Sequence, residues 1–179
     1  MGNRLETELI ERCLAGERKA FEELLRQYQK PVYNVAYRIV GNPDDAADIT
    51  QVVFLKAFEK LDRYKPEYRF FSWIYRIAIN ESINYNRHRG RQQPLEGNES
   101  AATSSPDAEA EASQQSREIQ ESLMQLNPDY RTVVVLRHFS DLSYREISEV
   151  LDTPEKTIKS RLYSARQLMK EALLDRGAH

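Results

Sequence analysis

Cysteine occurs once, at Cys13, in a chain of 179 residues. One thiol cannot close an internal disulfide. The charged start, MGNRLETELIERC, holds no apolar signal core, so the expected compartment is a reducing cytoplasm. The Met-Gly start does not read as an acylation signal, because position 6 is Glu rather than Ser or Thr. Cys13 lies on the apolar face of a helical pattern that begins at Leu5, and is expected to be core packing. Glycine is also scarce, at six residues, and strand-type alternation is rare. Both favour an all-α fold. No apolar run approaches the ~20 residues that cross a bilayer, so no membrane insertion is expected. Catalytic signatures are missing too. His88, His138 and His179 are scattered, and there is no C-x-x-C, H-E-x-x-H or Gly-rich phosphate loop. The reading is a non-enzyme without cofactor or metal. Asp44, Asp45 and Asp48 cluster, but a capped helix start favours acids for electrostatic reasons alone.

Charge of one sign is missing from particular stretches, although the whole chain carries only −2. Residues 63–91 hold seven Lys/Arg against two Asp/Glu, and 153–170 hold five against one. Between them, 92–116 hold five acids and no base. Two basic blocks around an acidic stretch suggest nucleic-acid contact in two places. The acidic stretch, QQPLEGNESAATSSPDAEAEASQQS, has no aromatic residue and one Leu. It cannot bury enough apolar area to offset its ordering entropy, and reads as a flexible linker. Two small helical domains are then expected, at 1–91 and 117–175.

In the second domain, Asn127-Pro128 starts a helix, and VVVL within it is taken as helical despite its strand propensity. Ser143-Tyr144-Arg145-Glu146 has the S-x-x-E form of a capping box. Asp152-Thr153 breaks the chain, with Asp tolerating a left-handed conformation. Thr153 is expected to cap a further helix with Pro154 in its first turn. In that helix Ile158, Leu162, Ala165 and Met169 recur on one side. Lys156, Lys159, Ser160, Tyr163 and Arg166 occupy the other. A capped helix, a tight turn and a longer helix with a cationic outer face make a helix-turn-helix, whose second helix enters the major groove. Its residues 155–160 would reach base edges, while Lys and Arg neutralise phosphates. The alternative is an ordinary helical hairpin with a solvated face.

In the first domain, Val32, Val35, Ala36, Ile39 and Val40 mark a helix that Gly41 stops. Asn42-Pro43 opens the next, with a core face of Ala46, Thr50, Val53, Phe54, Ala57, Phe58 and Leu61. Another face, with Asp44, Asp48, Gln51, Val52 and Leu55, mixes acids with apolar side chains. It suits a protein docking surface, or else Val52 and Leu55 lie under a neighbouring helix. The aromatic segment 64–70 reads as a loop. After it, Arg76, Asn80, Asn84, Arg87 and Arg91 fall on one helical stripe, opposite Ile74, Ile77 and Ala78. Aromatics, amides and cations together suit unpaired bases. For Trp73 and Tyr75, core packing is the competing reading.

Three ordered segments, NPDDAADITQVVFLKAF, FFSWIYRIAINESIN and LSYREISEVLDTPEKTIKSRLYSARQLM, resemble signature stretches of bacterial sigma factors. The two-domain layout resembles the extracytoplasmic-function (ECF) group. The resemblance implies a region 2 helical bundle and a region 4 helix-turn-helix. It implies docking on the β′ clamp helices of core RNA polymerase through Asp48, Gln51, Val52 and Leu55, with the β flap as a further contact. It implies −10 recognition and melting by Tyr64, Lys65, Phe70, Trp73, Arg76, Asn80, Asn84, Arg87 and Arg91. Glu155, Lys156, Thr157, Lys159, Ser160, Arg161, Tyr163 and Arg166 would bind the −35 element of promoter DNA. An anti-sigma factor, membrane-anchored in some systems, is the remaining implied partner. The chain departs from the common pattern at Ser148, Asp152, Thr153 and Lys156, which bears on −35 preference rather than fold.

Two other readings compete. An autonomous helix-turn-helix regulator would bind duplex tightly by itself, usually as a dimer, but no dimerisation helix is visible. A scaffold of two helical hairpins would leave both basic blocks without a purpose.

Overall fold

A computed structural model describes residues 2–92 and 108–177, with side chains over 4–90 and 114–175. Among the described residues all regular structure is helical. The first bundle contains α1 (Gly2–Leu14), α2 (Arg18–Val40), α3 (Pro43–Glu59), a short 3₁₀ turn (Leu61–Arg63) and α4 (Phe70–Gln92). The second contains α5 (Ala108–Gln125), α6 (Pro128–Val134), α7 (Tyr144–Leu151) and α8 (Glu155–Gly177). The all-α expectation holds, and so does helix for VVVL, which lies in α6 and a wider π turn at Val135–Phe139.

The ends of the helices follow their local chemistry. Gly41, at φ 78°, stops α2 and returns its N–H to the Tyr37 carbonyl. Asn42 Oδ1 accepts from the Asp44 and Asp45 amides at 2.9 and 3.0 Å and starts α3. Asn127 does the same for α6 through the Tyr130 amide. Ser143 and Glu146 form both halves of the capping box. Asp152 closes α7 in the left-handed region at φ 50°. Thr153 behaves differently from expectation: its hydroxyl donates back to the Leu151 carbonyl at 3.1 Å. Pro154 opens α8 instead, its carbonyl accepting from Thr157 and Ile158.

Two boundaries move. The helix expected around Val32 begins at Arg18 and runs through Pro31. α5 begins at Ala108, inside the stretch read as linker, because AEAEASQQS combines good helix formers with no Gly or Pro. Residues 93–107 of that linker lie outside the described residues.

The expected core face of α3 is buried except for half-buried Phe58. Ile158, Leu162 and Ala165 anchor α8, and each large side chain so buried contributes about 1.5–3 kcal/mol. Cys13 is half-buried and packs against the core, and burial pushes its thiol pKa up. The buried apolar residues of both bundles form one continuous cluster. α2 meets α5 and α6, and α4 meets α7.

Candidate nucleic-acid interface

α4 is rotated so that its polar stripe faces away from α2 and α3. Two ion pairs fix this rotation. Lys56 on α3 meets Glu81 on α4 at 2.5 Å, and Asp45 at the start of α3 meets Arg89 at 2.5 Å. Asp45 also accepts from the Tyr85 hydroxyl at 2.6 Å. No cluster able to hold a metal ion occurs among the described residues. With Ile74, Ala78, Ile79 and Ser82 buried, Arg76, Asn80, Asn84 and Arg87 are left exposed. The stripe is therefore present up to Arg87, except that Arg76 at its start donates to the Val150 and Glu149 carbonyls at 3.0 and 2.6 Å. The side chain of Arg91 lies outside the described residues.

The stripe ends at a cavity of about 550 Å³. Arg63, Tyr64, Lys65, Tyr68, Trp73 and Arg76 form its wall on the first bundle. Not all expected residues are free there. Phe70 is fully buried, in edge contact with Tyr28 and Tyr64, because it is the first apolar residue of α4 to meet the core. Tyr64 is buried too, packed on Phe70 and Trp73, with its hydroxyl donating to the Tyr68 carbonyl at 2.5 Å. Burial, with Glu6 nearby, pushes its phenol pKa up to about 12. Trp73 is half-buried and lines the cavity, so packing and exposure both apply. Tyr75 is core. Sequence reasoning did not single out Arg63 or Ser72 of this wall. Arg63 was legible as the first cation of the basic block. Ser72 carried no signal, yet its buried hydroxyl is the one unpaired buried side-chain polar atom among the described residues.

On α3, Asp48 and Gln51 are exposed, Val52 is 38% exposed and Leu55 64% exposed. Among the described residues no helix covers Leu55, while Val52 is only partly exposed, which answers the alternative left open by the sequence for Leu55. Leu55 and Gln51 flank a shallow apolar groove with Phe21, Leu25, Phe54 and Phe58.

On α8, Glu155, Lys156, Lys159, Ser160, Tyr163 and Arg166 are exposed, and Thr157 is half-buried. Lys159 lies 5.4 Å from the centre of the Tyr144 ring, a cation–π contact that steadies it. Arg161 differs from expectation. It sits beside the buried face and pairs with Asp129 of α6 at 3.0 Å, so it braces the second bundle. Its spacing from Ile158 and Ala165, three and four residues, carried that signal. Arg166 donates to His138 Nε2 at 3.2 Å. Burial, then Arg166 and Arg137, hold the His138 pKa below its ordinary value.

A cationic recognition helix and a polar stripe beside an aromatic cavity can do two separate things: neutralise duplex phosphates and hold unpaired bases. The models for sigma-70 region 2 and sigma-70 region 4 match residues 24–92 and 116–169, in that order. The chain is 31% identical over 177 residues to the ECF RNA polymerase sigma-E factor of Haemophilus influenzae, covering 92% of this chain and 93% of that one.

This chain belongs to the ECF sigma factors.

The ECF sigma factor SigW of Bacillus subtilis is 30% identical, with 93% and 95% of the two chains covered. Among solved structures, CnrH bound to the cytosolic domain of CnrY has the same fold, with a TM-score of 0.72 at 24% identity over 94% of this chain and 96% of that one. RpoE of Bartonella quintana, bound to the anti-sigma factor NepR, gives a TM-score of 0.68 at 25% identity over 87% and 97%. The sigma factor resemblance read from three sequence segments is thus borne out, and the autonomous-regulator reading is not favoured. As a sigma factor the chain is a non-enzymatic transcription initiation factor that directs core RNA polymerase to promoters. Among the described residues no helix is long and apolar enough to cross a membrane.

Proposed function

We propose that this sigma factor divides promoter recognition between its two bundles. α4 and the 64–69 loop capture an unpaired base of the −10 element, and α8 reads the −35 element in the major groove. The exposed face of α3 docks on the β′ clamp helices of core polymerase, and the second bundle on the β flap. The observation that carries this reading is the row Asn80, Asn84 and Arg87 leading along α4 to a cavity walled by aromatics and cations. A duplex reader has no use for such a cavity. A flipped base does, because unstacking costs a few kcal/mol. Stacking returns about 1–3 kcal/mol per base, and edge hydrogen bonds return more. Exposed Tyr68 and half-buried Trp73 are the stacking surfaces, Tyr64 is the floor, and Asn80, on the wall of a second cleft one turn along α4 from Arg76, supplies edge hydrogen bonds.

An anti-sigma factor is the further partner, as for the Bartonella quintana relative. The uncovered groove beside Leu55 gives it a surface from which to exclude the polymerase. Transcription from supercoiled plasmids carrying genomic fragments, by core polymerase with and without the chain, tests the reading. Discrete start sites should appear only when the chain is added. Tight duplex binding by the free chain as a dimer, with no change in transcription by core polymerase, would refute it.

A further inference from the structure

α1 lies outside the match to sigma-70 region 2, which begins at residue 24. It is nevertheless fixed to the first bundle near both ends. After its last turn, Gly16 at φ 84° reverses the chain. Arg12 there grips Glu17 through two hydrogen bonds, at 2.6 and 2.8 Å. Leu9 and Ile10 bury its middle. Towards its start, Glu6 accepts a hydrogen bond from the Tyr28 hydroxyl of α2. Burial, then that bond, push the Tyr28 phenol pKa up, so the hydroxyl keeps its proton.

Tyr28 is also the first of a run of aromatic contacts that ends in the cavity on α4. Its ring meets Phe70 edge-on at 5.1 Å. Phe70 lies 5.5 Å from both Tyr64 and Trp73, and those two rings are 5.7 Å apart. Phe70 is fully buried, and a close-packed interior transmits strain, so a shift of Tyr28 is passed on to Tyr64 and Trp73. α1 also touches the 3₁₀ turn Leu61–Arg63, which leads directly to Tyr64. Burial first, and Glu6 second, raise the Tyr64 phenol pKa, so the same carboxylate is near both phenols.

We propose that Glu6 is a positioning residue for capture of the −10 base. Through Tyr28 and Phe70 it holds Tyr64 and Trp73 as a preformed floor and stacking wall. α1 thereby serves strand capture without touching DNA. This rests on the promoter-opening reading of α4. A pocket whose rings are fixed before the base arrives loses less ordering entropy on binding. Without its acceptor the nearly buried Tyr28 hydroxyl is left unpaired, and the ring must turn toward water to satisfy it. Phe70 then loses its edge contact and the floor loosens.

Trp73 is the only tryptophan in the chain and lies in the cavity wall, so its emission reports on the floor. In the free full-length chain, Glu6→Ala should shift that emission to the red and open it to acrylamide quenching. Glu6→Gln keeps a carbonyl acceptor for Tyr28 and should restore the wild-type spectrum. The DNA probe is a fork junction from a promoter mapped by transcription of supercoiled plasmids. It joins −35 duplex to an unpaired −10 non-template strand. Holoenzyme carrying Glu6→Ala should bind it about fivefold more weakly, the factor one lost hydrogen bond gives. Glu6→Gln should bind it like wild type. Affinity for core polymerase and for −35 duplex should be unchanged in both, as should helicity by circular dichroism. Wild-type emission and fork-junction affinity in Glu6→Ala, while Asn80→Ala still weakens binding, would overturn the proposal. Equal losses in Glu6→Ala and Glu6→Gln would overturn it too, as would a parallel loss of −35 duplex binding, which marks a general stabiliser. If Asn80→Ala binds the fork junction like wild type, the reading of α4 fails and the positioning role falls with it.

Discussion

Replacing Arg131 by Met should be among the most damaging single changes in the second bundle. The residue is only 7% exposed, and burial lowers its guanidinium pKa from the ordinary value. It makes four hydrogen bonds, all to carbonyls. Nε serves Leu123, Nη2 serves Met124 and Leu126, and Nη1 serves Ile39, all at 2.8–2.9 Å. Three of these acceptors finish α5, so one side chain closes that helix and joins it to α6. Methionine keeps much of the volume and removes every donor. Each lost hydrogen bond costs about 1 kcal/mol net, giving about 4 kcal/mol as an upper figure before relief of the buried charge is credited, since Leu123 O keeps the Leu126 amide and Ile39 O keeps Asn86 Nδ2. A loss of about 2–4 kcal/mol remains. For a chain of this size each kcal/mol moves Tm by about 2–4 °C, so the drop should be about 5–15 °C by circular dichroism. Arg131→Lys should recover little, since a point ammonium cannot serve four divergent carbonyls. A loss below about 0.5 kcal/mol, or full rescue by lysine, would refute the reasoning.

Asp48→Ala and Gln51→Ala should weaken co-purification with core polymerase, and Leu55→Asp should abolish it, with helicity unchanged in all three; normal co-purification of all three would remove α3 as the docking face. Lys159→Ala should reduce duplex affinity and flatten the log–log salt slope by about 0.9 if it meets one phosphate. Arg161→Ala should leave that slope alone and lower thermal stability through loss of the Asp129 pair. Ser143→Ala should cost about 1 kcal/mol through the lost cap. Burial pushes the Glu146 pKa up, but the Ser143 amide and hydroxyl, with Arg69, outweigh it and hold the pKa down. Its folded value is therefore below the unfolded 4.5, so its contribution is complete above that pH and is lost as pH falls through the folded value. Denaturation of wild type and Glu146→Gln should accordingly differ at pH 7 and converge well below pH 4.5.

Much of this molecule was legible because its signals are local. Asn42, Asn127, Ser143, Gly41 and Asp152 announce helix ends through side-chain or backbone properties that act within four residues. The α4 stripe and the α8 faces follow from periodicity. What escaped depends on contacts distant in sequence. Arg76 reaches α7 carbonyls, and Arg131 reaches a carbonyl of α2. Backbone acceptors leave no trace in sequence, so neither bond was visible. The burial of Tyr64 and Phe70 was missed for a related reason: an aromatic cluster reads alike whether it stacks on bases or on itself. α5 was cut short because composition argued for disorder where local propensity favoured helix.

The central claim is that α4 captures an extruded −10 base during promoter opening. Permanganate reactivity of unpaired thymines tests it most directly, on one duplex promoter, with core polymerase and either wild type or Asn80→Ala. Wild type should expose reactive thymines across the −10 element. Asn80→Ala should bind polymerase and −35 duplex normally yet leave those thymines protected. Equal reactivity with both proteins would contradict the account.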